Sequence, residues 1–194
     1  MKREYEIGKG DFLGMRVYLR PITLEDGKYI VKWRNSEMVN SHCFDRSRVT
    51  IESNEAFYRN NVAPGKYRQF IVERVDDDYG VCSYPIATVY LKDFDQINHR
   101  CELCIFTSDD EEWNTQSQSI AIKQLLEKAF SEYSMHKVYT YVFADHPEEI
   151  ALMKQAGLTE EALLSEEALD CDGKYVDVVR MKILANQYSS GQDD

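Results

Sequence analysis

A cysteine pair and a polar loop are the first candidates for chemistry in this 194-residue sequence. Cys101 and Cys104 form a CxxC pair, a spacing used by metal sites and redox centres. The pair lies in the strand-like run "RCELCIF", where residues three apart point to opposite faces of a sheet. No second Cys/His pair with ligand spacing follows, so we interpret them as one core and one surface cysteine and predict no metal site. The histidines are scattered and define no cluster by spacing: His42, His99, His136 and His146.

The loop "WNTQSQS", residues 113–119, is the second candidate. It leads into a segment that reads as a helix, because its apolar residues from Ile120 to Phe130 recur at a 3.6-residue period. The N-terminus of a helix presents free backbone N–H groups and the positive end of the helix dipole, and both favour anions. The loop is therefore either a plain helix entry or a cradle for a phosphate group.

Composition and charge limit the possible classes. Hydrophobic residues make up 43% and aromatic residues 12% of a chain that contains few glycines and prolines, which indicates a globular protein. The formal net charge of −11 argues against a nucleic-acid-binding surface. No apolar stretch reaches membrane-spanning length, and the N-terminus lacks the apolar core of a signal peptide. Five cysteines, an odd number, favour reduced thiols and therefore a cytoplasmic location.

Periodicity and turn signals predict the order of the elements. A strand and two helices, the latter starting after Thr23 and Thr50, precede three strands in an antiparallel-looking series. A helix, a strand, a helix that starts at Pro147 and a final hairpin complete the chain. This order predicts an α+β fold with a mixed, mostly antiparallel sheet of six to seven strands and about four helices. We expect one domain, residues 1–194, with residues 1–14 as an N-terminal extension and residues 186–194 as a frayed tail.

Several segments, in chain order, carry a family resemblance: "LRPITLED", "WRNSEMV", "PIATVYLKDFD", "NHRCELCIF", "KQLLEKAFSEYSMHKVYTYVFADHPEEIALMKQAGL" and "DGKYVDVVRMKIL". The stretch from about Arg16 to Leu184 resembles the GCN5-related N-acetyltransferases (GNAT), and within them the ribosomal-protein N-terminal and bacterial amino-sugar N-acetyltransferases. The resemblance implies a GNAT-like fold that transfers an acetyl group from acetyl-coenzyme A to a primary amine.

In this family the coenzyme's pyrophosphate lies on the loop before the central helix. The family's pattern there is an Arg or Gln, two variable residues, a Gly, one more residue, and a Gly or Ala. Trp113, Gln116 and Gln118 occupy the fixed positions of that pattern here. Glycine lets the backbone approach a phosphate closely and adopt a positive φ, which Gln tolerates poorly. The backbone N–H donors remain. The resemblance thus implies coenzyme contacts from this loop, from the strand that splays to admit the pantetheine arm, and from one later residue: Asn114, Thr115, Gln116, Ser117, Gln118, Ser119, Cys104, Ile105, Phe106 and His146.

The family's catalytic residues are only partly matched. His146 takes the place of an Asn that contacts the pantetheine, and Met153 takes the place of a Tyr that protonates the departing thiolate. A methionine has no proton to donate. On the splayed strand, Glu102 is the candidate that accepts the amine's proton through a water, and the alternative is a solvent-facing Glu paired with Arg100 or Lys92. His146 is the second candidate base, against a plain helix-entry residue.

Two functions follow from the resemblance. The first is an N-acetyltransferase acting on a small amine, an amino sugar or a protein N-terminus, and the second is a catalytically degenerate GNAT-fold protein that serves as a binding or regulatory module. We favour the enzyme, with acetyl-coenzyme A as co-substrate, a small-molecule or peptide amine as partner, no nucleic acid, no membrane and a possible homodimer. By the resemblance Trp33, Arg34 and Asn35 frame the acceptor site. In the alternative interpretation, Trp33 is an anchor of the hydrophobic core and Arg34 forms an ion pair on the surface.

Overall fold

A seven-stranded sheet organises the chain. The computed structural model describes residues 16–76, 82–106 and 108–190. The strands are β1 (Arg16–Pro21), β2 (Arg68–Asp76), β3 (Cys82–Asp95), β4 (Arg100–Phe106), β5 (Lys137–Phe143), β6 (Thr159–Leu169) and β7 (Tyr175–Leu184). The helices are α1 (Gly27–Arg34), α2 (Glu37–Ser41), α3 (Ile51–Phe57), α4 (Thr115–Glu127), α5 (Pro147–Gln155) and α6 (Ala185–Ser190). Single π-helical turns, Tyr58–Val62 and Lys128–Glu132, extend α3 and α4.

The strand order β1-β2-β3-β4-β5-β7-β6 contains one parallel pair, β4 with β5. That pairing covers only three positions, the last of which joins Glu102 to Tyr139. Beyond that position β4 continues to Phe106 and β5 to Phe143, but the two strands no longer pair with each other. The sheet therefore opens between them. The predicted mixed sheet, the antiparallel β3–β4 hairpin and the diverging parallel strands are confirmed. The sequence pattern predicts that this strand runs from Cys101 to Thr107, and Thr107 lies outside the described residues.

The two faces of the sheet carry separate hydrophobic clusters because side chains alternate along each strand. On β2, Phe70 and Val72 belong to the larger cluster, which also contains the buried residues of α4 and α5. Between them, Ile71 points to the opposite face and packs with Ile30 and Trp33 of α1. Helices therefore cover both faces, and the opening between β4 and β5 lies between the two helical layers.

The turn from β1 into α1 is fixed by a buried carboxylate. Asp26 accepts hydrogen bonds from the backbone N–H of Thr23 at 2.8 Å and from both terminal nitrogens of Arg20 at 2.7 Å. Burial alone would raise the pKa of Asp26, but the bonds from Arg20 and Thr23 outweigh it and hold that pKa below its usual value. This confirms Thr23 as the predicted N-cap, although a short 3-10 turn separates it from α1. The turn sets where α1 meets the sheet.

The C-terminus differs from the expected frayed tail. Residues 185–190 form α6, because the ring of Tyr188 packs against Phe130 at 5.1 Å and Gln187 accepts a bond from the backbone N–H of Leu184. Residues 191–194 and the predicted extension 1–14 lie outside the described residues. In the part of the chain that the structure describes, no helix has both the length and the apolar character needed to cross a bilayer.

Candidate functional site

A cleft of about 430 Å³ begins where β4 and β5 separate. Its walls come from α1, the segment 42–49, α3, β2, β3, β4, β5 and α5. Three carboxylates line it, those of Asp45, Glu102 and Glu149, together with the permanent cations Arg34 and Lys92. Aromatic rings complete the lining: Phe44, Phe57, Tyr67, Tyr90 and Tyr141.

Glu102 lies on the cleft wall at the last paired position before the sheet opens. It is only 8% exposed, and its Oε1 lies 3.2 Å from Nζ of Lys92. The Sγ of Cys104 donates a hydrogen bond to the same oxygen at 3.1 Å. Burial raises the pKa of Glu102, and the charge of Lys92 opposes that rise without cancelling it. The carboxylate is therefore buried rather than solvent-facing, yet it forms the expected pair with Lys92. A raised pKa makes a better proton acceptor near neutral pH.

The CxxC cysteines point to opposite faces, as predicted. Cys101 is fully buried in the larger core cluster, where burial raises its pKa to about 12. Cys104 lines the cleft, and burial raises its pKa well above the usual value, so it is a neutral thiol that donates to Glu102. All five cysteines are free thiols. Within the described residues, this pair shows neither a disulfide nor a metal-binding geometry.

The part of the cleft formed by the segment 42–49 and α5 carries an imidazole–carboxylate cluster. Oε1 of Glu149 on α5 lies 3.6 Å from Nε2 of His42 and 3.7 Å from Nδ1 of His146. The two imidazole rings lie 4.7 Å apart, and the His146 ring also contacts Phe143. Burial raises the pKa of Glu149, while the two histidines oppose the rise. His42 and Glu149 line the cleft itself, whereas His146 lies behind them at the start of α5.

Met153 lies two turns into α5, lines the cleft and is 2% exposed. Its thioether presents no proton to the cleft. The hydroxyl groups of the cleft lining come from other residues: Ser47, Ser53, Tyr67, Tyr90, Thr140 and Tyr141. The match of Met153 to the family's Tyr position stays a prediction, and the sequence identified no donor that replaces the missing phenol.

The loop before α4 forms a standard capped helix start. Asn114 is the N-cap, and its Oδ1 accepts the backbone N–H groups of Gln116 at 3.1 Å and Ser117 at 3.3 Å. The N–H of Gln118 donates to the carbonyl of Asn114 at 2.9 Å. Residues 114–119 lie wholly within the described chain and none of them has a positive φ, so the backbone here does not require glycine.

This geometry fits a coenzyme pyrophosphate under one condition. Two of the expected donor groups, those of Gln116 and Ser117, are held by the Asn114 side chain, which must move away before an anion can use them. Asn114 itself is exposed, so this movement costs little packing. A pantetheine arm fits between the splayed strands. On the side of β5 no strand pairs with Cys104 and Ile105, so their backbone groups face the gap. The side chain of Phe106, also expected there, lies outside the described part.

The three residues expected at the acceptor site have different positions. Arg34 lines the cleft, and its Nη1 donates to the carbonyl of Asp45 at 2.8 Å. Trp33 is 2% exposed and stacks on Tyr29 at 5.8 Å, so the structure places it in the core, as in the alternative interpretation. Asn35 exchanges two hydrogen bonds with the backbone of Val49 and thereby holds the segment 42–49 beside the cleft.

Sequence reasoning missed His42, Glu149 and most of the segment 42–49. That segment has no hydrophobic period, and its position becomes clear only when Asn35 fixes it. A weak signal existed for Glu149, which lies three residues after His146 and hence on the same side of a helix.

This chain resembles a known protein family, known proteins and a solved structure. A family model described as an acetyltransferase (GNAT) domain matches residues 16–159. The spermidine N(1)-acetyltransferase of Vibrio cholerae is 24% identical over 176 residues, which cover 91% of this chain and 97% of that protein. The Escherichia coli K12 spermidine N(1)-acetyltransferase is 23% identical over 172 residues, 89% of this chain and 88% of that protein. A crystal structure of the Vibrio cholerae spermidine N-acetyltransferase with CoA and spermine superposes with a TM-score of 0.80 at 26% identity, covering 89% of this chain and 98% of that one.

Proposed function

The chain belongs to the GNAT acetyltransferase family, and from that premise we propose that its acceptor is a primary amine at one end of a linear polyamine. It is an N-acetyltransferase that uses acetyl-coenzyme A as co-substrate. The finer substrate assignment is supported by relatives named for spermidine, which align over most of both chains. The alternative of a degenerate binding module, which Gln116, Gln118 and Met153 had suggested, is set aside because the family and these relatives are acetyltransferases.

The observation that carries the polyamine proposal is the arrangement of charge in the cleft. Arg34 pairs with Asp45, and Lys92 pairs with Glu102, so each permanent cation of the lining faces a carboxylate. Glu149 contacts histidines instead. A carboxylate on one wall, with aromatic rings around it, suits an alkylammonium chain, because cations bind both carboxylates and the faces of aromatic rings.

Glu102 and Glu149 would then act at opposite ends of the acceptor. Glu149 would hold a distant ammonium group, and Glu102 would accept a proton, through a water, from the amine that reacts. Only the deprotonated nitrogen has a lone pair with which to form the new N–C bond as the C–S bond breaks. Acetyl-coenzyme A supplies the acetyl group as a thioester. The backbone of β4 beyond Glu102 would position the pantetheine arm, and the N-terminus of α4 would bind its phosphates.

A panel of acceptors tests the proposal. Acetylation of spermidine and spermine would be compared with that of glucosamine, a peptide N-terminus and the monoamine propylamine. We expect kcat/KM to be highest for the polyamines. Glu149→Gln should raise KM for spermidine about tenfold and leave KM for propylamine unchanged, because propylamine has no second ammonium group. Preference for glucosamine or the peptide would refute the polyamine assignment. A homodimer and a cytoplasmic location stay predictions.

A further inference from the structure

The imidazole–carboxylate cluster of His42, His146 and Glu149 has the composition of a metal site. From its geometry we propose that His42, His146 and Glu149 bind a divalent transition-metal ion, with Zn²⁺ the best fit. Two imidazoles and one or two carboxylates are a ligand set that zinc accepts readily, whereas Ca²⁺ and Mg²⁺ prefer oxygen alone. The spacing of the histidines in sequence, 104 residues apart, concealed this cluster.

The distances are close to those of a tetrahedral site. Bonds of about 2.0–2.1 Å from zinc to nitrogen and oxygen place neighbouring ligand atoms about 3.3–3.4 Å apart. Oε1 of Glu149 lies 3.6 Å from Nε2 of His42 and 3.7 Å from Nδ1 of His146. A contraction of a few tenths of an ångström therefore brings each of these two pairs of atoms to ligand spacing.

The tautomer of His42 is set for metal binding. Its Nδ1 lies 2.8 Å from the backbone carbonyl of Met38, which can only accept a hydrogen bond, and 2.9 Å from the hydroxyl of Ser41, which itself donates to that carbonyl. Nδ1 therefore carries the proton, and in the neutral ring the lone pair is on Nε2, which faces Glu149. Metal-bound histidines usually donate their other ring N–H to a backbone carbonyl or a carboxylate in this way.

His146 supplies an independent observation. Its Nδ1 is buried and has no hydrogen-bond partner among the described residues. Buried polar atoms are nearly always satisfied, so such a nitrogen calls for an explanation. A metal ion held with Glu149 would satisfy it. The neighbouring Glu148 offers a fourth ligand, because one ligand atom from each of His42, His146 and Glu148 lies within 4.8 Å of the others.

The metal would connect the end of α2 to the start of α5 across one wall of the cleft. It would also use Glu149, the carboxylate to which we assign the far ammonium group of the acceptor. A metal ion and a polyamine should therefore exclude each other there. Metal binding itself does not depend on the proposed acceptor, and it is measured without coenzyme or amine.

Zinc affinity of the full chain, measured by competition with a chromophoric chelator, tests the site. We expect one tight Zn²⁺ per chain, an affinity at least 100-fold weaker in the double variant His42→Ala/His146→Ala, and a Tm of the wild type that rises with zinc. The matched control His99→Asn/His136→Ala removes two exposed histidines and leaves every cysteine in place, so it should bind like the wild type. Asn is chosen at position 99 because that residue has a φ of 49°.

Two further measurements keep the proposal falsifiable if the double variant does not fold. Glu149→Gln preserves the shape of the side chain and should weaken zinc binding at least tenfold. Co²⁺ bound to the wild type should give the intense visible absorption of a tetrahedral site, and Glu149→Gln should reduce it. Equal zinc affinity in the wild type and in either cluster variant, or no tight binding by the wild type, would overturn the proposal.

Discussion

Lys92 and Glu102 face each other across the antiparallel strands β3 and β4, and Nζ of Lys92 lies 3.2 Å from Oε1 of Glu102. Burial raises the pKa of the carboxyl group, and the ammonium group limits how far it rises. The pair therefore sets the pH at which Glu102 becomes able to accept a proton. If Glu102 is the base, as we propose, Lys92 adjusts the pKa of that base without taking part in bond formation.

Replacing Lys92 by methionine should move the pH profile. Without the ammonium group the pKa of Glu102 rises further, because the hydrogen bond from Cys104 is then the main interaction that opposes the effect of burial. A carboxyl group must be deprotonated to act as a base, so the rising limb of kcat/KM should shift to higher pH by about one unit. Initial rates with spermidine across the pH range measure this. A profile that keeps its position, or shifts to lower pH, would show that Glu102 does not control the rate.

Glu102→Gln keeps the size of the side chain and removes the base. We expect acetylation at neutral pH to fall by about 10²-fold, since general bases contribute roughly that much or more. Much of the loss should return at alkaline pH, where the free amine is abundant. Glu132→Gln, at an exposed carboxylate far along the chain, serves as the control for the loss of one negative charge. Full activity of Glu102→Gln at every pH would place the base elsewhere, and His146 would be tested next.

Met153→Tyr tests the missing proton donor. The phenol should protonate the departing thiolate if the coenzyme binds in the family's pose, whereas Met153→Phe adds a similar ring without a hydroxyl. Both replacements overpack a buried site, at a cost of about 1–3 kcal/mol in stability, so that cost cancels in the comparison. We expect kcat of the Tyr variant to exceed that of the Phe variant about tenfold. Equal kcat values would mean that another group, or water, already supplies the proton.

Asn114→Ala should have opposite effects on stability and on coenzyme binding. Loss of the N-cap destabilises the free protein by about 1 kcal/mol. The N–H groups of Gln116 and Ser117 then become available to phosphate without displacing a side chain, so affinity for CoA should rise about fivefold. Thermal unfolding and calorimetric titration measure the two effects. Thr50→Ala removes the cap of α3 and should lower stability alone. Weaker CoA binding by Asn114→Ala would mean that the carboxamide itself contacts the coenzyme.

Much of the fold could be predicted because it follows from short-range signals. Thr23, Thr50 and Pro147 begin the elements that the sequence assigns to them, and the alternation of Phe70, Ile71 and Val72 divides the two faces of the sheet. α2 and α6 were missed because five and six residues are too few to show a helical period. Their stability comes from tertiary contacts.

Local sequence pattern predicts the candidate site only where one strand carries it, whereas Arg34 on α1, which also lines the cleft, was predicted from the family resemblance. Glu102 and Cys104 lie two residues apart on β4, so their common face could be inferred from the strand period. His42 and Glu149 meet across more than 100 residues of sequence, and no local pattern encodes that contact. The Asn114 cap was missed for a different reason. The prediction compared this loop with the glycines of the family's pattern. It overlooked that an asparagine before a helix usually bonds to the helix's first N–H groups.

The three-residue pairing between β4 and β5 also has a mechanical consequence. β1–β4 and β5–β7 are each held by long antiparallel ladders, but the two blocks share only this short seam, reinforced by helices packed on either face. Such a seam is where a sheet parts first during local unfolding. A pantetheine arm lying between the strands would contact both blocks. The co-substrate would therefore hold the two blocks together while it presents its acetyl group. If the coenzyme binds as we propose, it enters the sheet at the seam with the fewest paired residues.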